Sequence, residues 1–452
     1  MLEQSASKMA AMIRQREISS VDLVTAHLTR IGEINPALNA AVNVLADSAL
    51  RDAAKADEQL RAGELTGPLH GVPVSIKDSI DIVGNFCTAG TLGRRSCPTA
   101  EQDAELVGRL RAAGAIPIAK TNLPDLLFAY ESDNFIFGRT NNPYDLGRTA
   151  GGSSGGESAL IAACGSPLGL GSDAAGSVRL PAHFCGITSI KPTSGRFSQV
   201  GHVPPPNGII DALWSIGPMG RYVEDLRLAL DLLSSEEPAT PPRRQLADCR
   251  VAVYTDNGFA PCTNPIKDAV QKCAEFLSRY GMIVEEQRPP GVERAYDLEM
   301  GILGADGGEG IEAYLRTNGT AAPHPLLAAW LNRLRPLCAA SEDDYRRRFA
   351  DWDRYRGAMA DFFTSYDVVL CPVYTRPALL HGESVKPGNF EGFSYTMTWN
   401  VAGTPAAVVR CGTVEGLPIN VQVVTGHGQD HLALEVCGLI EQEFGGWQAP
   451  PI

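Results

Sequence analysis

The chain is short of positive charge. Its 452 residues hold 39 lysines and arginines against 52 aspartates and glutamates, a formal net charge of −13. Nucleic-acid binding draws its affinity from neutralised phosphates and usually shows a basic patch, so no nucleic acid is expected as a partner. Metal motifs are missing too. The eight histidines include no HExxH, and no Cys/His spacing closes a zinc site. His427 and His431 have no carboxylate placed to complete a ligand set. No metal and no cofactor is expected. Without a GxxxxGK[ST], or a GxGxxG behind a strand, nucleotide binding is not expected either. The 11 cysteines are odd in number and contain no CxxC pair, a pattern of reduced thiols in a cytosolic chain. No apolar run approaches the length that crosses a bilayer, so no membrane partner is expected. The first twenty residues are polar and charged, unlike a signal peptide. These absences leave a cytoplasmic protein acting on a small, neutral or apolar molecule.

What is present is an alternation of helices and strands, which predicts an α/β fold with a mixed sheet. Ser20 reads as the N-cap of the first long helix. Strands are expected at 72–76, 115–119, 168–171, 187–191, 250–254, 282–286 and 368–370, with a pair at 406–409 and 419–424. Helices are expected at 47–62, 103–113, 158–164, 222–234, 265–280 and 431–444. Residues 290–365 read as mostly helical and less patterned, with Trp330, Leu331 and Leu334 as core. Residues 396–405 read as a loop. The proline-rich stretch 236–244 reads as a linker, and the Gly/Pro-rich segment 194–210 as a loop over the site.

The chemistry concentrates in small-residue loops. Gly151-Gly152-Ser153-Ser154-Gly155-Gly156 opens an apolar helix, where unpaired amides and hydroxyls are presented at one point. It fits the G-x-S-x-G elbow of α/β-hydrolases, but that elbow needs a buried strand just before the serine, and 142–149 reads as a loop. Such an enzyme would use Ser153 with Asp367 and either His427 or His431. The other constellation takes Lys77 at the end of a strand, Ser153, and Ser177 in a second loop, Gly171 to Ala182. The two serines are 24 positions apart, separated by a helix and a strand that carry the chain out and back. Serine is a weak nucleophile without a base, and lysine serves as that base only when burial or nearby positive charge keeps it neutral. The loop from Ala174 to Ser177 can aim amides at an oxyanion.

The segments GVPVSIKD (71–78), AIPIAKTNLPD (115–125), FGRTNNPYD (137–145), GRTAGGSSGGESALIA (147–162), GLGSDAAGSVRLPAHFCGITSIKPTSGR (169–196) and GPMGR (217–221) carry a resemblance. With the fainter NVAGTPA (400–406) before PINVQVV (418–424), they make the chain similar to the amidase signature family, the Ser–cisSer–Lys hydrolases. The likeness is dense over about 66–235 and thinnest at 290–365. It implies one α/β domain over 1–452: a central mixed β-sheet flanked by helices, plus a helical insertion or cap. It implies Ser177 as nucleophile, Ser153 as a proton bridge following a cis peptide, and Lys77 as base. It implies Ala174, Ala175, Gly176 and Ser177 as oxyanion hole, supported by Ser154 and an Asp173–Arg179 pair. The family often has Thr-Gly-Gly-Ser up to the nucleophile; here it is Ala174-Ala175-Gly176-Ser177, and Ala175 would disturb a loop needing positive φ there. Leu180 stands where glutamine amidotransferase subunits tend to carry glutamine, so amidotransfer is the minor reading. Phe128, Tyr130, Phe135 and Phe137 lie in the segment that lines the pocket in relatives, and read equally as core. An aromatic, uncharged pocket suits aryl amides, anilides or aryl carbamates, with esters as a side activity. A homodimer is the mild expectation for the family.

Overall fold

The computed structural model describes residues 1–205, 208–235 and 245–452. The expected linker at 236–244, and positions 206–207 of the expected covering loop, lie outside the described residues.

Eleven strands among the described residues form one mixed sheet. In spatial order they are Ala41–Val44, Ile116–Thr121, Pro73–Lys77, Leu168–Asp173, Ser215–Gly220, Thr188–Lys191, Ala406–Val414, Leu417–Thr425, Val368–Pro372, Arg250–Val253 and Ile283–Glu286. Ile116–Thr121, Pro73–Lys77 and Leu168–Asp173 run parallel. The pairings from Leu168–Asp173 through Val368–Pro372 are antiparallel, and the last two strands return to parallel. Helices flank the sheet: Asp430–Phe444 packs on Ala406–Val414, and Gly155–Ala162 packs on Leu168–Asp173. Leu168–Asp173, Ser215–Gly220 and Leu417–Thr425 are buried at every residue, as expected of strands covered on both faces. The helical stretch resolves into Ala295–Leu303, Glu309–Thr317, Pro325–Leu334 and Glu342–Phe362. No helix of the described residues is long and apolar enough to cross a membrane.

Three local expectations are corrected. Ser19, not Ser20, caps the helix Ser20–Leu38: Ser19 Oγ accepts from the Asp22 N–H at 2.9 Å, and Asp22 accepts back from the Ser19 N–H. The acid three residues on makes Ser19 the start of a capping box. Residues 394–402 form a helix, not a loop, ending at Gly403 with φ +73°. All nine residues of Ser394–Ala402 are buried, and a helix buried all round shows no amphipathic stripe to reveal it. Lastly, Asp145–Thr149 is a strand, paired with Asn141–Asn142 in a separate two-stranded ladder. It lies outside the central sheet, so it does not supply the strand a hydrolase elbow requires.

Candidate active site

The strands Pro73–Lys77 and Leu168–Asp173 are parallel neighbours that end side by side, and the site lies at those carboxyl ends, the usual position for ligands on such sheets. Lys77, the last residue of its strand, is completely buried. Its Nζ lies within hydrogen-bond distance of three hydroxyls, Ser153 Oγ at 2.6 Å, Ser154 Oγ at 2.9 Å and Ser172 Oγ at 3.1 Å. Hydroxyls surround it, and no carboxylate bonds to it among the described residues. The adjacent Asp78 is committed elsewhere, 3.2 Å from the buried Lys120 Nζ. Burial pulls the Lys77 ammonium well below its ordinary range, with Asp173 and Glu157 opposing. Glu157 is itself masked: Thr121 Oγ1 donates to it at 2.6 Å, Ser75 Oγ also donates, and burial pushes its carboxyl up to about 7. A lysine so placed can be a neutral base at working pH.

The loop that brings Ser153 to this amine leaves no room for side chains. The Gly152–Ser153 peptide is cis. A Cβ on Gly152 would lie 2.5 Å from the Ala129 carbonyl oxygen. Ser132 ties the loop down, its Oγ donating to the Gly151 carbonyl at 3.0 Å and accepting from the Gly155 N–H at 2.9 Å.

The second loop is wound around Asp173, the last residue of the neighbouring strand. Its carboxylate accepts from the amides of Gly176 at 2.8 Å and Val178 at 3.1 Å. Arg179 grips it with Nε and Nη2, each at 3.0 Å. Burial alone would raise this carboxyl, but the Arg179 charge and hydrogen bonds hold it well below the ordinary value. The remaining Arg179 donors go to the Thr396 carbonyl, Gln422 and Asn400 at 2.9, 2.8 and 2.5 Å. Thr396 Oγ1 in turn donates to the Ala175 carbonyl at 2.9 Å. Thr396 has no motif to flag it, whereas Asn400 and Gln422 stand in fainter matches, 400–406 and 418–424, that attach no role to either.

The four amides of the expected oxyanion hole are not alike. The Gly176 N–H is spent on Asp173. The amides of Ala174, Ala175 and Ser177 have no acceptor among the described residues. Positive φ falls on Gly176, at +117°, and not on Ala175, so alanine at 175 is accommodated. A Cβ on Gly176 would sit 2.2 Å from Thr396 Oγ1. Gly176→Ala is therefore expected to cost about 1–3 kcal/mol of stability from the left-handed backbone and the overlap, and to lower kcat about 100-fold by moving the neighbouring amides. Thermal melts and anilide turnover check both; an unaltered kcat would show that the loop does not need this conformation.

One cleft gathers both serines of the expected triad, Ser153 and Ser177. Ser153, Ser172, Ala174, Ala175 and Ser177 form one side, and Leu127, Phe128, Tyr130, Trp214, Leu303 and Trp330 line the rest. Phe135 and Phe137 do not reach it. Phe135 is 53% exposed, edge-on to His324, and Phe137 is half-buried, with its carbonyl accepting from Asn39. Trp330, read as core, does pack in the core but also lines the cleft. No described residue of 194–205 lines the cleft; Trp214, just beyond the expected covering loop, does. The histidines of the hydrolase alternative lie elsewhere: His431 pairs with Asp231 at 3.3 Å, and His427 is exposed. The Asp367 carboxylate accepts from the Arg250 N–H at 2.9 Å.

The fold and this cleft place the protein among hydrolases of C–N amide bonds. The chain belongs to the amidase family, the amidase signature enzymes, whose sequence profile matches residues 22–434. It is 33% identical to fatty-acid amide hydrolase 2-B of Danio rerio, over 100% of this chain and 91% of that protein. It is likewise 33% identical to an indoleacetamide hydrolase of Bradyrhizobium diazoefficiens, over 98% of this chain and 86% of the relative. Among solved structures, a 6-aminohexanoate cyclic dimer hydrolase with its substrate superposes with a TM-score of 0.85 at 27% identity, covering 98% of this chain and 97% of that one.

Proposed function

We propose that this protein is a serine amidase that cleaves aryl amides and anilides through an acyl-enzyme on Ser177, with aryl carbamates and esters as lesser substrates. The observation that carries the proposal is Lys77: a buried amine without a carboxylate partner, 2.6 Å from Ser153 Oγ. Neutral Lys77 takes the Ser153 hydroxyl proton as Ser153 takes that of Ser177. Ser177 Oγ attacks the carbonyl carbon, and the tetrahedral oxyanion is met by the amides of Ala174, Ala175 and Ser177. The proton returns through Ser153 to the leaving amine as the C–N bond breaks. Water, deprotonated along the same route, releases the acid and restores Ser177. Asp173, Arg179 and Ser154 position the loops and the amine.

The aromatic wall of Phe128, Tyr130, Trp214 and Trp330 supports flat, uncharged acyl or amine groups. The indoleacetamide hydrolase relative, acting on an arylacetamide by its name, agrees. The eleven cysteines, none of them in a disulfide, suit a reducing compartment, and we take the enzyme to work in the cytoplasm. A panel of one anilide, one primary arylacetamide, one aryl ester and one aryl carbamate tests the reading. The two amides are expected to lead in kcat/KM. A well-folded protein that hydrolysed none of the four would overturn it.

A further inference from the structure

Two buried polar groups beside the cleft have no partner among the described residues. One is the Glu299 carboxyl, 0% exposed with both oxygens unbonded. The other is the indole N–H of Trp330, whose ring lines the cleft. Buried polar groups are almost always paired, so two orphans on neighbouring helices call for a ligand or a reason. The nearest candidate counter-charge for Glu299 is already spent. Arg179 has five N–H donors, and Asp173 takes two while Thr396, Gln422 and Asn400 take one each.

The two orphans lie on neighbouring helices. Glu299 is on Ala295–Leu303, and Leu303, four residues on and so on the same face, lines the cleft. Trp330 is on Pro325–Leu334, which packs against that helix. Both flank Tyr130: its ring is 5.7 Å from that of Trp330, and its phenol lies in the field of Glu299. Tyr130 bonds to neither: its hydroxyl donates to the Ala175 carbonyl at 3.2 Å, and both groups stay without a partner. Burial pushes the Glu299 carboxyl well above the usual carboxylate range, which favours its uncharged form; charged or not, its oxygens can accept from a hydroxyl.

We infer that Glu299 and Trp330 form a second recognition point, reading a hydroxyl that the substrate carries on an aromatic ring away from its scissile carbonyl. The hydroxyl would accept from the Trp330 N–H and donate to Glu299. Glu299 is then a specificity-determining residue of the amidase proposed above, and the inference rests on that reading. The Arg179 charge that acts on Glu299 favours an uncharged phenol over a cation. A purely structural alternative pairs Glu299 with Tyr355, whose hydroxyl is also unpartnered and lies in the Glu299 field.

The test compares 4-hydroxyphenylacetamide with phenylacetamide, two amides that differ by one hydroxyl. The wild-type protein is expected to favour the hydroxylated amide at least about tenfold in kcat/KM, because a site built to bond a hydroxyl rejects the analogue lacking it. Glu299→Leu and Trp330→Phe should each bring the ratio toward one, and Glu299→Gln should retain most of it. A wild-type ratio near one overturns the inference, even if the leucine variant fails to fold. A ratio unchanged in folded Glu299→Leu also overturns it and supports the Tyr355 pairing. Should neither amide be hydrolysed, the amidase reading is the one that fails. Calorimetric titration of both amides into Ser177→Ala then decides the recognition point separately: tenfold tighter binding of the hydroxylated amide supports it, and equal binding overturns it.

Discussion

Ser177→Ala is expected to lower kcat on an anilide by about 10⁴- to 10⁶-fold, the range seen when a serine nucleophile is removed, while the protein stays folded. The side chain lost is one hydroxyl at the edge of a cleft, 7% exposed, so the cost in stability should be below about 1.5 kcal/mol. The residual rate measures what the remaining amides and the cleft achieve by orientation alone. Ser153→Ala should fall nearly as far, because it cuts the only proton path drawn from Ser177 to Lys77. Combining the two should add little, since residues that act as one unit are not additive. A pre-steady-state burst of the amine product, present in the wild type and absent in Ser177→Ala, would locate the acyl group. If Ser177→Ala retained more than about a tenth of the wild-type rate, the nucleophile would have to be sought elsewhere in the cleft, with Ser153 first.

What could be read from the sequence was whatever short stretches of chain encode by themselves. The two Gly/Ser loops and the lysine closing an apolar strand are local strings, and one helix and one strand between the serines were enough to predict that the chain returns. What could not be read depends on distant packing. Thr396, Asn400 and Gln422 reach Arg179 from more than two hundred residues away, and the helix carrying the first two hides its period by being buried all round. Leu303, Trp330 and Glu299 come from the helical stretch with no motif, and nothing local says which face of those helices meets the cleft. The aromatic run 128–137 misled for a different reason. Phe128 and Tyr130 face the cleft, but the Asn134 side chain then accepts from the amides of Ile136 and Phe137 at 2.9 Å each, turning the chain away before Phe135 and Phe137 can contribute. The loop chemistry shows the same limit. The string Ala174-Ala175-Gly176-Ser177 identifies a tight turn but not which residue takes positive φ, because the Asp173 contact to the Gly176 amide settles that.

Lys77→Met tests the base and couples activity to stability. With a single lysine as base, wild-type kcat/KM should rise with a slope of one on the acid side and level off at a pH well below the ordinary lysine value of 10.5. In Lys77→Met that limb should vanish and the plateau should fall by about 10³- to 10⁵-fold. Stability should also rise with pH. In the unfolded chain Lys77 keeps its proton up to about pH 10.5, whereas burial makes the folded chain release it at lower pH. Between those two points the unfolded state binds more protons, so this residue's penalty on folding is largest at low pH and fades as pH rises toward 10.5. Methionine carries no such penalty, although it leaves the hydroxyls of Ser154 and Ser172 short of the partner they had. The pH dependence of the difference therefore discriminates better than its size: denaturant melts across pH 6 to 10 should show the wild type gaining on the variant as pH increases. A difference that is flat with pH, or an acid limb that survives in Lys77→Met, would mean that Lys77 is charged in the folded protein. It would then bind the serines as a structural cation, and the proton from Ser177 would need another acceptor. Glu157, held up to about 7 by burial, does not meet that need directly. Its carboxyl is enclosed by Ser75 and Thr121 on the strands themselves, and it is not among the groups that line the cleft.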